Sequence, residues 1–278
     1  VKVRIKFKKY GAMKFIGHLD VMRYFQKAFR RADYDSEYTK GFNPHQIMSF
    51  AAPLGLGLTS DGEYVDISLN SSKSPEDMVK AINEVMSEGF LVTGFRILRE
   101  PKENEKHVTA MSLISSADYL ISLKDGYSLG EEILSGKDFR KAFEKFYSKS
   151  EIIINKKTKT SEKLVNIRPM ISLVSYDEKE YKEKLRDKLM NVTRPENGEK
   201  SYFLDIESMA QVYDNDIKVY LQLDTGSVSN LKPELVMEAF CKDNNIEYNS
   251  FAWQVHRLEL YTRDEKTKKL IPLDHLDK

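Results

Sequence analysis

Two short stretches gather residue types that do chemistry. The first is Gly17-His18-Leu19-Asp20. Histidine titrates near neutral pH and serves as general acid or base. Helical apolar spacing begins at His18, so the stretch also offers the free N–H groups of a helix N-terminus, which suit a phosphate. Together these can hold or cleave a phosphodiester, while packing or capping is the plainer role for His18. The second stretch is Tyr38-Thr39-Lys40-Gly41-Phe42-Asn43-Pro44-His45. It sets polar, aromatic and cationic groups between two regular elements, where ligands are often bound. Tyr38 or Phe42 can stack on a base and Lys40 can meet a phosphate. Asn43-Pro44 is also ordinary turn chemistry. His18 and His45 lack a third ligand at a recognised spacing, so no metal site is expected.

Charge adds to this. Residues 1–50 hold eleven Lys and Arg against four Asp and Glu, and the rest of the chain brings the net charge to +1. A local basic footprint on a neutral protein points to an anionic partner, or to a solvated cationic face. Arg23, Lys27, Arg30 and Arg31 fall mostly off the apolar stripe of their helix and are expected to be exposed. A second basic patch, Lys156, Lys157, Lys159, Lys163 and Arg168 around the lone acid Glu162, leads into Asn166-Ile167-Arg168-Pro169. An arginine fixed before a proline is a better phosphate or carboxylate clamp than the lysines.

Other classes are excluded. Gly55-Leu56-Gly57 lacks the third glycine and the strand–helix context of a dinucleotide fingerprint. There is no Walker motif, nucleophile elbow or His-Glu-x-x-His. The single cysteine, Cys241, rules out an internal disulfide and an iron–sulfur cluster held by this chain. It reads as a buried thiol in a reducing cytosol. No run of about 20 apolar residues exists, so no membrane span is expected. The chain opens on a charged strand pattern with no signal peptide, and a cytoplasmic protein is expected.

The elements that must position these groups follow from periodicity. Residues 1–8 alternate apolar and cationic, a half-buried strand. Leu19, Met22, Phe25, Phe29 and Ala32 form a helical stripe over residues 18–33. A strand near 47–51 and an alternating run over 63–69 follow. Ser74-Pro75-Glu76-Asp77 starts a helix with a cap, a proline and early acids, and residues 90–98 form a strand. The order β-α-β-β-α-β is the ferredoxin-like split motif. Residues 101–116 read as a charged linker. Beyond it, strands near 119–123, 151–154, 164–174, 202–206, 217–223 and 251–260 alternate with helices at 139–147 and 233–240. Residues 178–199 form a charged helix plus excursion. The expectation is an α+β protein of two ferredoxin-like halves, 1–100 and 117–278, with mostly antiparallel sheets and helices on one face. In this topology His18 and the 38–45 loop begin at opposite ends of the first helix. They share one site only if the loop folds back along the sheet, which the concentration of Lys40, Asn43 and His45 favours.

Several blocks resemble a known family. They are Lys14-Phe15-Ile16-Gly17-His18-Leu19-Asp20-Val21-Met22-Arg23, Tyr38 to His45, Met48-Ser49-Phe50, Pro53-Leu54-Gly55-Leu56-Gly57, Asn166-Ile167-Arg168-Pro169 and Val255-His256-Arg257-Leu258. They are similar to the radical-SAM-linked family of unknown function, a domain fused to or encoded beside cobalamin-binding radical-SAM proteins. Where its motif commonly has Ser-Gln before Gly-Phe-Asn-Pro-His, this chain has Thr39-Lys40. The resemblance implies a bacterial, cytoplasmic setting near RNA processing and the ribosome. It also implies a radical-SAM partner protein, and any iron–sulfur cluster, S-adenosylmethionine or cobalamin is expected on that partner alone. By fold analogy, tandem ferredoxin-like halves with a histidine near the first helix also look like CRISPR repeat-processing ribonucleases. Three readings stand. The first is an RNA-binding accessory module in RNA modification or processing, with Asp20, Arg23, Lys27, Arg30, Arg31, Tyr38, Lys40, Phe42, Asn43, His45 and Arg168 as contacts. The second is a metal-independent endoribonuclease using His18. The third is a non-catalytic partner of the radical-SAM protein.

Overall fold

A computed structural model describes residues 1–101, 103, 108–157 and 162–277. The fold is α+β, with mostly antiparallel sheet pairing. The chain divides into two compact units. The first comprises Val1–Ile114, Leu189–Ala210 and Arg257–Lys278, and the second Ser115–Lys188 and Gln211–His256.

The first unit contains β1 (Lys2–Lys9), α1 (His18–Arg31), β2 (Met48–Phe50), β3 (Thr59–Ser68), α2 (Pro75–Val85) and β4 (Phe90–Ile97). Its sheet order, β2-β3-β1-β4, is that of a ferredoxin-like βαββαβ unit, and these pairings are antiparallel. α1 buries Val21, Phe25, Ala28 and Phe29 against Val3, Ile5 and Phe7 of β1 and Val65 and Ile67 of β3. The buried stripe is rotated from the expected one: Leu19 is exposed and Met22 only half-buried. α2 starts as its sequence requires, with Ser74 Oγ accepting from Asp77 N at 3.2 Å and Pro75 in the first turn.

The second unit follows α3 (Ala110–Leu113). It contains β5 (Ser116–Leu123), α4 (Gly136–Tyr147), the hairpin β6 (Ile153–Lys157) and β7 (Glu162–Asn166), β8 (Ile171–Ser175) and α5 (Glu178–Lys188). The chain then passes through β9 (Ser201–Phe203) and returns to this unit with β10 (Lys218–Asp224) and α6 (Pro233–Asp243). The last strands are β11 (Trp253–Arg263) and β12 (Leu270–Pro272). The order β8-β10-β5-β11 repeats the ferredoxin-like pattern. Phe139, Phe143 and Phe146 of α4 pack on Phe240 of α6, with ring centroids 5.1–5.8 Å apart.

Three features depart from expectation. The predicted strand 164–174 is two strands, broken at Arg168–Met170. There Asn166 Oδ1 accepts from both Ile152 N and Arg168 N, and Pro169 removes a ladder donor. Residues 117–278 are not one module, because 189–210 and 257–278 join the first unit. β9 covers the outer edge of β4, and β11 lies beside β3 with β12 on it. An open strand edge is a liability that such additions remove. Gly62 allows β11 close: a Cβ there would stand 2.7 Å from the Leu258 carbonyl oxygen. Third, the expected linker 101–116 lies partly outside the described residues, and its described end holds α3 and the start of β5.

Candidate functional site

His18 is the first residue of α1, after an extended Gly17. Its ring stands edge-on to Phe50 of β2, centroids 5.4 Å apart. The two line a cavity of about 10 Å³ together with Lys9 and Glu63. Arg257 completes the corner, its Nη1 donating to both Glu63 carboxylate oxygens at 2.9 and 3.1 Å and to Ala52 O at 3.3 Å. Lys9 is 2% exposed, and its Nζ donates to Ile16 O at 3.1 Å. Burial lowers its pKa below the ordinary lysine value, with Glu63 opposing and Arg257 assisting. The corner therefore holds an imidazole, a buried amine and a carboxylate–guanidinium pair. A cavity of this size is near the lower bound for one water, so the corner cannot admit a nucleotide.

The sequence pointed to His18 and missed Lys9, Glu63 and Arg257. Arg257 is 239 positions from His18, and no local spacing links them.

Four of the five cations of β1, Arg4, Lys6, Lys8 and Lys9, are turned into the fold. Arg4 and Lys8 are 2% and 5% exposed. Arg4 forks onto Asp66, with Nε–Oδ1 2.8 Å and Nη2–Oδ2 3.0 Å. Lys6 Nζ donates to Glu259 at 2.5 Å and to Asp274 at 2.9 Å. Lys8 Nζ reaches Asp61 at 3.1 Å and the carbonyls of Ile206 and Glu207. Tyr64 donates to Glu259 at 2.7 Å, and Arg96 pairs with Asp277 at 3.1 Å. This corrects the expected half-buried strand: its polar side is a layer of ion pairs whose acids lie outside residues 1–50. With Arg4, Lys6, Lys8 and Lys9 inside the fold, seven cations against four acids remain in that segment. Apart from Lys2, the basic footprint is thus reduced to α1 and the loops around it.

On α1, Arg23, Lys27, Arg30 and Arg31 are all exposed. Their spacing of four, three and one places them along one side of the helix. Asp20 is exposed and pairs with Arg23 at 3.6 Å, a contact worth little in water. Arg31 Nη2 also donates to Val85 O at 3.0 Å.

Residues 38–46 fold into a small hairpin. Tyr38 bridges Gln46, and Thr39 N donates to His45 O at 2.9 Å. Thr39 Oγ1 accepts from His45 N at 3.1 Å and lies 3.1 Å from His45 Nδ1. Gln46, buried at the base, donates to Ser36 Oγ at 3.1 Å. Gly41 has φ +121°, a turn conformation that side chains disfavour. Lys40, Phe42 and Asn43 project into solvent, Phe42 with 112% relative exposure. The hairpin does not fold back to His18. His45 precedes Phe50 by five residues, about 16 Å of extended chain, and no residue of 38–45 lines the His18 cavity. Tyr38, Lys40, Phe42, Asn43 and His45 are thus together, beyond the C-terminal end of α1, and separate from His18 and Asp20.

Arg168 stands apart from both, in the second unit. Its guanidinium lies 3.8 Å over the Tyr147 ring and its Nε donates to Tyr147 O at 2.8 Å. It ties down the last turn of α4, where a cation also suits the helix dipole. In the neighbouring hairpin Lys156 donates to Asn230 O and Lys163 is exposed. Lys159 lies outside the described residues.

Among the described residues no group of three His, Cys, Asp or Glu side chains is placed to hold a metal ion, and no helix is long and apolar enough to cross a membrane. Cys241 is buried, and burial pushes its thiol up to about 11.

Fold and site together define an α+β chain of two ferredoxin-like units, with an ion-paired sheet face and an exposed cationic helix. The chain belongs to the family described as uncharacterized protein conserved in bacteria (DUF2344), which it matches over residues 2–233. No curated protein matches it.

Proposed function

We propose that this chain is an RNA-binding accessory module that acts with a radical-SAM enzyme in modifying or processing tRNA or rRNA in the bacterial cytoplasm. The observation that carries the RNA part is the exposed side of α1. Four cations, Arg23, Lys27, Arg30 and Arg31, stand on it in a row spanning about 12 Å, while Arg4, Lys6 and Lys8 of β1 are taken up by internal ion pairs. A basic helix of this kind neutralises phosphates and releases counterions. The radical-SAM part rests on the resemblance of Lys14 to Arg23 and Tyr38 to His45 to the radical-SAM-linked family. The cluster and the S-adenosylmethionine would sit on the partner.

The test is binding of structured RNA across a salt series. Affinity is expected to fall steeply with salt, and replacing the four α1 cations by Ala should flatten that slope and leave the fold intact. A fourfold variant that binds as the wild type does at every salt concentration removes α1 from the account.

The ribonuclease reading is favoured by one observation, the placement of His18 beside the buried amine of Lys9. The volume of that cavity weighs against it. Metal-independent cleavage of a defined RNA that disappears in His18→Ala, with binding retained, would reverse this order, since one general acid–base group contributes about 10²–10⁴ in rate.

A further inference from the structure

Phe42 is the most exposed large apolar side chain among the described residues. A phenylalanine left in water forgoes the gain of burial. Here the backbone pairing of Tyr38 with Gln46, the Thr39–His45 bonds and the buried Gln46 anchor fix the base of the hairpin, while Gly41 shapes the tip. A hydrogen-bonded support under an unburied aromatic is the form of a binding element rather than of a spacer.

We propose that the hairpin of residues 38–46 is a base-stacking element, and that the RNA partner is engaged through an unpaired segment. One base lies on Phe42, and the adjoining phosphates meet Lys40 and the last cations of α1. This rests on the RNA reading given above. Placement supports it: only six residues separate Arg31 from Tyr38, and the chain between them is pinned by Tyr34 N to Phe29 O and by the bridge of Ser36 with Leu69. Charge makes the ring, rather than the cations, the main source of affinity at this tip. At this end Arg30, Arg31 and Lys40 are accompanied by the exposed acids Asp33 and Glu37, while Asp35 is held by Asn70 and Ser71. Near-neutral surroundings do not gather phosphate by field alone, so affinity here must come from the ring. In a duplex the base faces are covered by their neighbours. A protein aromatic takes a base only where the strand is unpaired.

The experiment uses a short single-stranded RNA carrying 2-aminopurine, whose fluorescence reports stacking, and the same strand annealed to its complement. The full chain is compared with Phe42→Ala, Phe42→Trp and the fourfold α1 variant. Wild type is expected to prefer the single strand and to change its fluorescence. Phe42→Ala should bind it about 5- to 150-fold more weakly, the worth of one stacked base. Its salt slope and its affinity for the duplex should be unchanged, and Phe42→Trp should retain binding. Because the side chain touches solvent alone, neither substitution threatens folding. Salt-dependent binding that needs α1 but ignores Phe42 overturns this inference and leaves the RNA reading standing. Wild type that binds neither RNA overturns both. A photocrosslinker at position 42 that captures protein and no RNA in cells assigns the tip to a protein partner and also overturns it.

Discussion

Lys6 lies between two buried carboxylates, and its charge state depends on them. Burial alone would lower its pKa; Glu259 and Asp274 more than reverse this and hold it above the ordinary lysine range. Burial would raise Asp274, yet Lys6 keeps it below its ordinary value, while burial keeps Glu259 raised. Two pH windows follow. The Lys6 contribution is complete below its ordinary pKa and is lost as pH rises through the higher folded value. The Asp274 contribution is complete above the ordinary carboxyl pKa and is lost as pH falls through the lower folded value. Lys6→Met leaves two carboxylates facing each other without their cation. It is expected to cost about 3–5 kcal/mol at neutral pH, the usual penalty for breaking a buried pair, as measured by urea unfolding. The deficit should narrow in mild acid, because protonating one of the two carboxyls relieves the variant while the wild type still keeps its Asp274 term. A deficit that does not vary with pH would assign Lys6 a packing role. The alternation Val1 to Lys8 was legible as a strand with a polar side. Alternation does not say whether that side is wet, and the acid that decides it, Asp274, is 268 residues from Lys6.

At the level of elements, those with local instructions were legible. Ser74 and Pro75 start α2, and Phe139, Phe143 and Phe146 mark the buried face of α4. Elements whose instructions are tertiary were not. β9 has three residues and exists because β4 offers an edge beside Gly94, where a Cβ would stand 2.7 Å from the Phe203 ring. Gly94→Val should therefore detach β9, seen as faster amide exchange at 201–203, with the register of β1 on β3 retained. Arg168 was read as an anion clamp from its proline neighbour, yet its guanidinium is stacked on Tyr147 and bonded to that residue's carbonyl. Arg168→Ala should lower stability by about 1–2 kcal/mol, from a hydrogen bond and a cation–π contact together, in thermal or denaturant melts. RNA affinity should not change. Arg168→Lys should fail to restore the loss, because an ammonium cannot stack as a planar guanidinium does. A large loss of RNA affinity in Arg168→Ala would restore the clamp.

At the scale of the whole molecule, order along the chain and membership of a unit do not coincide. The first unit draws on three segments, and its third supplies Arg257, Glu259, Asp274 and Asp277 to partners in its first. A fragment of residues 1–114 has the full β-α-β-β-α-β pattern but lacks these groups and the strands beside β3 and β4. It is expected to be unfolded or aggregated, and a dispersed amide spectrum from a monomeric fragment would disprove this. Sequence pattern located both ferredoxin-like repeats because each carries its own hydrophobic periodicity. It could not locate the exchange of segments, because 189–210 and 257–278 carry no mark of the unit they join. The arrangement also sets a timetable. A ribosome adds about 5–20 residues per second, so on the order of 15–50 s pass between the emergence of Lys6 and that of Asp274. For nearly all of that interval Lys6 of the first strand lacks its two acids, Glu259 and Asp274, although Asp61 and Asp66 have already met Lys8 and Arg4. The nascent chain must wait in that state, open to chaperones and to any passing polyanion, until its last segment arrives.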